Sequence, residues 1–358
     1  MCGVLPCLCL SWRVRWYQSF SLVGCGLSVF GKPGYAETIR IQPRPFDPAR
    51  AMTRHRESFH DLDAMTRLFG RWNGSLLQLS RGQLAAEAGV AQGTKLRCFQ
   101  VQANQHVRTL GGADGTTCTL IPVTEPLGEC CWQQRRVAAG EVILRGCDIP
   151  YDASIEPDAK VTALLVSEHR LREAHRSLMG REIAHALSGW HSLRGAPIRV
   201  PRLLARVGEF LAASASTAVG AAVCEDACLR ELVACIADGP AEIWPLASRA
   251  ALVKTALEFL HSTLNRPVSS LEICQAVRAN ERTLRLAFQE RFDVGPVAYQ
   301  RILRMHAVRK ALKNGEMRSV RETALIFGFT RLGSFAAEYR IHFGERPSET
   351  LSSRPSGD

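Results

Sequence analysis

Residues Ser269–Pro296, SSLEICQAVRANERTLRLAFQERFDVGP, and residues Ser319–Pro347, SVRETALIFGFTRLGSFAAEYRIHFGERP, are two degenerate copies of one pattern. Each opens on Ser-x-x-Glu, Ser269/Glu272 and Ser319/Glu322, where the serine oxygen and the glutamate can each satisfy an exposed backbone N–H. Each box predicts the start of a short helix, over Ile273–Val277 and over Thr323–Phe327. A break follows, at Gly328 in the second copy, and Asn280 and Thr330 then stand as N-caps of a further helix. In those helices Leu284, Phe288 and Phe292, and likewise Phe335, Tyr339 and Phe343, lie four apart and make one buried stripe each. The opposite face is left free. The copies sit fifty residues apart before the break and fifty-one after it. Two helices joined by a tight turn, the second facing solvent, make a helix-turn-helix, the arrangement that sets its second helix in the DNA major groove.

Between the copies, Ile302, Met305, Val308 and Leu312 recur at helical steps, and Arg301, Arg304, Arg309, Lys310 and Lys313 crowd the same stretch. A long connecting helix over Val297–Leu312 would fix the distance between the two units. A single helical hairpin says little, because such hairpins are common and most bind nothing. Two capped copies at a near-constant offset, joined by a basic helix, say more. Charge agrees: the chain of 358 residues carries a net +11, with 17 Lys and Arg against 11 Asp and Glu from residue 251 onward. Residues 1–51 hold 6 basic and 2 acidic residues, which leaves the middle near +1. A basic excess in one domain is the footprint of a polyanion binder.

Upstream the pattern changes. Short strand-like segments, Lys95–Gln102, Thr116–Val123, Cys131–Val137, Glu141–Arg145 and Lys160–Val166, are separated by Gly, Asp and Pro clusters. They predict a small antiparallel barrel or sandwich. Leu203, Leu204, Val207, Phe210 and Leu211 then make one helical face, and Val223, Ala227, Leu232 and Ile236 another, with the small-residue stretch Ala212–Ala222 as the turn. Thirteen cysteines at irregular spacing do not read as a disulfide framework, and a reducing cytoplasm suits them. Cys224, Cys228 and Cys235 fall on one helical stripe and read as core, and no metal or cofactor is expected. The apolar run Val4–Leu10 is too short to span a membrane, Lys32–Pro48 is proline-rich, and Met52 is expected to be the true start.

At the paired motif the chain resembles the AraC family of transcription regulators over about residues 250–350. The most specific stretch is Gly328–Glu349, GFTRLGSFAAEYRIHFGERPSE, and Asn280–Phe292 is similar to the family's first reader helix. Arg278 stands where the first unit usually has a turn glycine, and Leu286 and Ala337 stand where many members carry arginine. The resemblance implies an upstream effector or interaction domain and a helical pair that helps dimerisation. Thr283 and Ser334 match family positions suited to phosphate contact.

The expected fold is therefore α+β. A lead-in (1–51) precedes a β-rich, cupin-like domain (52–198), a helical dimerisation hairpin (199–238), a linker (239–249) and an all-α double helix-turn-helix domain (250–351). Glu281, Arg282, Arg285, Gln289 and Arg331 are the candidate base readers, since arginine can bond guanine O6 and N7 together and glutamate can accept from a cytosine amine. Thr283, Arg301, Arg304, Ser334 and Arg340 are the candidate phosphate contacts. Residues 245–358 are expected to fold and bind duplex DNA alone. Expected partners are operator or promoter DNA, RNA polymerase and a second copy of the chain, with a small-molecule effector left open. Trp132, Arg135 and Tyr151 are pocket candidates without an assigned ligand. No nucleophile elbow, phosphate loop or catalytic carboxylate pair is present, so no enzyme is expected. The alternatives are an Ada-type alkyl-repair enzyme, for which Cys118, Cys130, Cys131 and Cys147 lack the clustered spacing, and a protein-only adaptor, which the basic excess disfavours.

Overall fold

The computed structural model describes residues 53–68, 74–123, 131–132, 135–136, 139–183, 187–193, 198–213, 218–238, 241–243, 249–314, 317 and 319–353. The expectations for Val4–Leu10, Lys32–Pro48 and Met52 lie outside these residues, as do Cys130 and the side chains of Cys131, Trp132 and Arg135. Strand β1 (Thr53–Phe59) and helix α1 (Leu62–Leu68) precede β2 (Gly74–Gln78), β3 (Ala86–Gln92), β4 (Leu96–Ala103), β5 (Val107–Gly111) and β6 (Thr117–Pro122). Then come β7 (Cys131–Trp132), β8 (Arg135–Arg136), β9 (Val142–Arg145), β10 (Tyr151–Ile155), β11 (Lys160–Ser167), α2 (Glu168–Met179) and β12 (Trp190–Leu193). Helices α3 (Arg199–Ala213) and α4 (Ala218–Asp238) lead through β13 (Ala241–Ile243) into a helical region. That region holds α5 (Ala250–Ser262), α6 (Ser270–Val277), α7 (Glu281–Phe292), α8 (Pro296–Lys313), α9 (Val320–Ile326), α10 (Leu332–Phe343) and α11 (Pro347–Ser352).

Among the described residues the β-rich half is two antiparallel sheets, in the orders β1-β3-β4-β11-β6-β9-β12-β13 and β2-β5-β10-β7-β8. The larger sheet is buried on both faces. Along β6, Cys118 and Leu120 face one core while Ile121 faces another, and β9 divides Val142 and Leu144 from Ile143 in the same way. The first core is filled from α3 and α4 by Leu203, Val207, Phe210, Cys228, Leu232 and Ile236. The second lies against the smaller sheet, which supplies Ala153 and Ile155. Two-sided burial explains why these strands read as apolar runs with weak alternation.

Two boundaries change. The hairpin 199–238 has the expected helices, yet they share the core of the large sheet instead of forming a separate unit. Glu225 fastens them: its carboxylate accepts from the backbone N–H of Thr94, Lys95 and Leu96 at 3.2, 2.6 and 2.8 Å. The expected linker 239–249 contributes β13, which pairs with β12 through His191–Ile243 and Leu193–Ala241. In the helical region one core joins α5 through α10, with Phe288, Phe292, Tyr299, Phe335, Tyr339 and Phe343 at its centre. Leu77 and Leu79, from β2 and the residue beyond it, belong to this same core. The helical domain is therefore completed from the N-terminal half.

Candidate nucleic-acid interface

The first unit, α6 and α7, is built as the capping box requires. Ser269 Oγ accepts from the Glu272 N–H at 3.2 Å, and Glu272 accepts from the Ser269 N–H at 2.8 Å. That backbone bond and the Arg266 guanidinium hold the Glu272 carboxyl down at about 2. The turn is made by Arg278, in the left-handed region at φ 53°, with its N–H on Cys274 and Gln275 carbonyls. Asn280 then caps α7, its side-chain oxygen accepting from the Thr283 N–H at 2.8 Å. In the second unit Gly328, at φ 73°, makes the turn between α9 and α10. Ser319 accepts from the Glu322 N–H at 3.4 Å, but the reciprocal half of the box is not formed. The N-cap of α10 is Arg331, without a side-chain cap bond, and not Thr330. The offset of fifty-one thus begins at the cap itself, pairing Asn280 with Arg331.

An α-helix turns 100° per residue, so the buried stripe fixes which side chains face out. On α7 Leu284, Ala287, Phe288 and Phe292 are buried, and Glu281, Arg282, Arg285, Leu286, Gln289 and Glu290 are exposed. On α10 Phe335, Tyr339, His342 and Phe343 are buried, while Gly333, Ser334, Ala336, Ala337, Arg340 and Ile341 are exposed. Some of the α7 groups are already committed: Glu281 accepts from Ser270 Oγ at 2.8 Å, Gln289 Nε2 donates to Asp293 at 2.6 Å, and Glu290 pairs with Arg249. Arg282, Arg285, Arg331 and Arg340 have no side-chain hydrogen bond or ion pair among the described residues. Thr283 is half-buried and Ser334 exposed, each in the first turn of its helix.

The connecting helix α8 separates the two arginines grouped together from sequence. Arg301 is exposed and pairs with Glu338 of α10. Arg304 is only 2% exposed, donates from Nε to the Phe327 carbonyl at 2.8 Å and lies 4.3 Å over the Phe329 ring. Burial, with Arg301 nearby, brings its pKa down to about 10. The reading of Arg304 as a phosphate contact is corrected: it is an internal brace between α8 and the second unit. Basic residues at a helical step look alike in sequence whichever side they take.

Sequence reasoning missed the polar seam joining the two halves. Arg108 on β5 is 2% exposed, donates to Asp152 on β10 at 3.1 and 3.0 Å, and donates to the Tyr299 hydroxyl of α8. Asp152 also pairs with Arg291 at the end of α7. Burial raises the Asp152 carboxyl, and the Arg108 and Arg291 charges outweigh it, so its pKa is lowered. Further along, the Gln78 carbonyl accepts from His306 at 3.1 Å and from His342 at 3.2 Å, and Gln78 Nε2 donates to the His342 carbonyl at 2.8 Å. The sequence signal was charge inside strands, Arg108 in VRTLG and Asp152 in YDASI, which demands a buried partner.

Elsewhere, Cys228 and Cys235 are buried in the core and Cys224 packs against it; burial pushes the Cys228 thiol up to about 12. Tyr151 lies with its ring centroid 6.2 Å from that of Trp190, tilted by 45°, and packs against the second core. Among the described residues no group of three or more His, Cys, Asp or Glu is placed to hold a metal ion, and no helix is long and apolar enough to cross a membrane.

Residues 273–353 match a protein family described as a helix-turn-helix domain. The chain is 35% identical over 98 residues to XylDLEGF operon transcriptional activator 2 of Pseudomonas putida, covering 27% of this chain and 62% of that protein. It is 32% identical over 113 residues to a probable thc operon regulatory protein of Rhodococcus erythropolis, covering 31% of this chain and 34% of that one. The match therefore spans less than two thirds of either curated relative. Among solved structures, a probable AraC family transcriptional regulator from Rhodopseudomonas palustris CGA009 is 32% identical, covering 29% of this chain and 98% of that one, with a TM-score of 0.27.

Proposed function

We propose that this chain is a transcription regulator of the AraC type that grips operator or promoter DNA with α7 and α10 of its helix-turn-helix domain. One observation carries the reading. Two units of the same design share one core around α8, and their second helices turn uncommitted arginines to solvent. Arg282, Arg285 and Arg331 are the base readers in this proposal, with Glu281 and Gln289 exchanging their internal partners for base edges. Thr283, Arg301, Ser334 and Arg340 contact phosphates and set register. RNA polymerase is a further partner in this proposal, supported by the domain's similarity to an operon transcriptional activator. A small-molecule response belongs to the β-rich half, whose seam touches both units. Association of two copies is assigned to the hairpin, where Val219 and Val223, one turn apart on α4, are 76% and 61% exposed.

The test uses the full chain and duplexes enriched from a randomised library, bound at several salt concentrations. Salt-sensitive, sequence-selective binding is the expected outcome, and its absence overturns the proposal. Arg285→Ala should flatten preference at one or two base pairs, a loss of about 1–3 kcal/mol of discrimination. Arg301→Ala should weaken all sequences alike and reduce the salt slope by about one. Equal, uniform losses for both variants would remove Arg285 from the set of readers.

A further inference from the structure

Leu286 is 41% exposed, although a leucine in an amphipathic helix usually belongs to the buried stripe. Its position explains nothing in the core. It lies two residues beyond the buried Leu284, about 200° round the helix, and so at the centre of the outward face of α7. Arg282 is one turn before it, Arg285 adjacent, and Gln289 and Glu290 one turn after it. Glu281, Gln289 and Glu290 have partners within the domain. The uncommitted chemistry of this face is therefore two guanidinium groups and, beside them toward the C-terminal end of α7, one branched apolar side chain.

The major groove offers an apolar side chain one specific partner, the C5-methyl of thymine. We infer that Leu286 is a specificity-determining residue that covers a thymine methyl in the bound DNA. The inference rests on the DNA-binding proposal above and deepens it. Helix rise places the contact: Leu286 stands about 1.5 Å along the axis from Arg285 and about 6 Å from Arg282. With base pairs stacked about 3.4 Å apart, the thymine falls within about two base pairs of a guanine read by either arginine. The equivalent position on α10 is Ala337, whose single methyl reaches less far, so the two units differ in the base edge they demand. The two arginines N-terminal to Leu286 shield that side of the methyl from water once they bond their own bases. A leucine there gains from burial what it cannot gain in the free protein.

The experiment uses the full chain and the duplex it enriches from a randomised library. Each thymine in that duplex is replaced singly by deoxyuridine, which removes the methyl and keeps the base pair. One replacement, close to a guanine, should weaken wild-type binding about fourfold, the worth of one buried methyl-sized group. Leu286→Ala should bind the thymine and deoxyuridine duplexes equally, and Leu286→Met should restore the difference. Circular dichroism checks that each variant keeps its helix content, as an exposed position predicts. Full thymine preference in Leu286→Ala overturns the inference, as does a wild type indifferent to every replacement. Failure to enrich any duplex overturns the DNA-binding reading itself, and this inference with it.

Discussion

Arg278 and Gly328 occupy the same place in the two units and solve the same problem at different cost. Each ends a short helix in the left-handed region, at φ 53° and 73°. A side chain there is strained by about 1 kcal/mol or more, and glycine is not. Arg278→Gly is therefore expected to raise stability by about 0.5–1 kcal/mol, seen as a higher urea midpoint at unchanged slope. The reverse holds at Gly328. A Cβ there would meet Arg266 Cα and the Asn265 carbonyl at 2.8 Å and Arg304 Nη2 at 3.0 Å. Gly328→Ala should cost about 2 kcal/mol or more, because strain and overlap add. A neutral result at Gly328 would mean that the turn relaxes freely. The resemblance in the sequence pointed to the missing glycine at Arg278. Nothing in the sequence said that its partner glycine lies against the brace Arg304.

At the scale of elements, α8 is the hub. Tyr299, Ile302, Leu303, Met305, Val308 and Leu312 are buried in the helical core, and polar Gln300, Arg304 and Arg309 are buried with them. Gln300 Nε2 donates to the Thr263 and Arg266 carbonyls at 3.2 and 2.8 Å, which ties α8 to the turn after α5. Arg309 reaches Glu345 at 2.8 Å, and its charge with Lys313 holds Asp61 from the N-terminal half. Two variants separate structure from binding. Arg304→Ala removes the hydrogen bond to Phe327 and the ring contact on Phe329, and should lower stability by about 2–3 kcal/mol. Arg301→Ala, on the exposed face, should change stability by less than about 1 kcal/mol while weakening DNA binding. Thermal melts and binding isotherms on the same preparations decide it: matched melts for the two variants would place both arginines at the surface. The existence of α8 was legible from its apolar steps. Which of its arginines turn inward was not, because helices packed on several sides have no single polar face.

For the whole molecule the seam between the halves matters most. Asp152 sits between Arg108 and Arg291, and removing one partner of a buried pair leaves uncompensated charge. Asp152→Asn is expected to cost about 3–5 kcal/mol, with the earliest loss of hydrogen-exchange protection in β5 and α7. Acid should act on the same seam. Burial, and then His342, bring His306 down to about 3, and burial brings His342 to about 4. Burial raises the Asp61 carboxyl but Lys313 and Arg309 outweigh it, so Asp61 is lowered, as is Asp152. All four groups bind protons more weakly folded than unfolded, so their contribution is present above the unfolded values and is lost as pH falls through the folded ones. The melting midpoint should fall steadily from about pH 6.5 toward pH 4, and His342→Gln should flatten the upper part of that fall. A midpoint independent of pH over that range would show that the imidazoles do not face a closed seam. A fragment of residues 245–358 lacks Leu77, Leu79, Arg108 and Asp152, so it should melt below the helical domain of the full chain.

What the sequence determined by itself is local: two helix pairs, the first capped as its residues require, their aromatic stripes, the connecting helix, and the strands whose apolar residues run unbroken. Capping boxes and helical steps act over a few residues, so they can be read where they stand. The two-sided burial of the large sheet, the strand β13 inside the expected linker and the seam from Arg108 to Arg291 were decided only by tertiary structure. Each depends on residues far apart in the chain, Arg108 and Tyr299 being 191 positions apart. A charge in a strand or a glycine in a turn announces that a partner is needed, but the fold alone brings that partner into place.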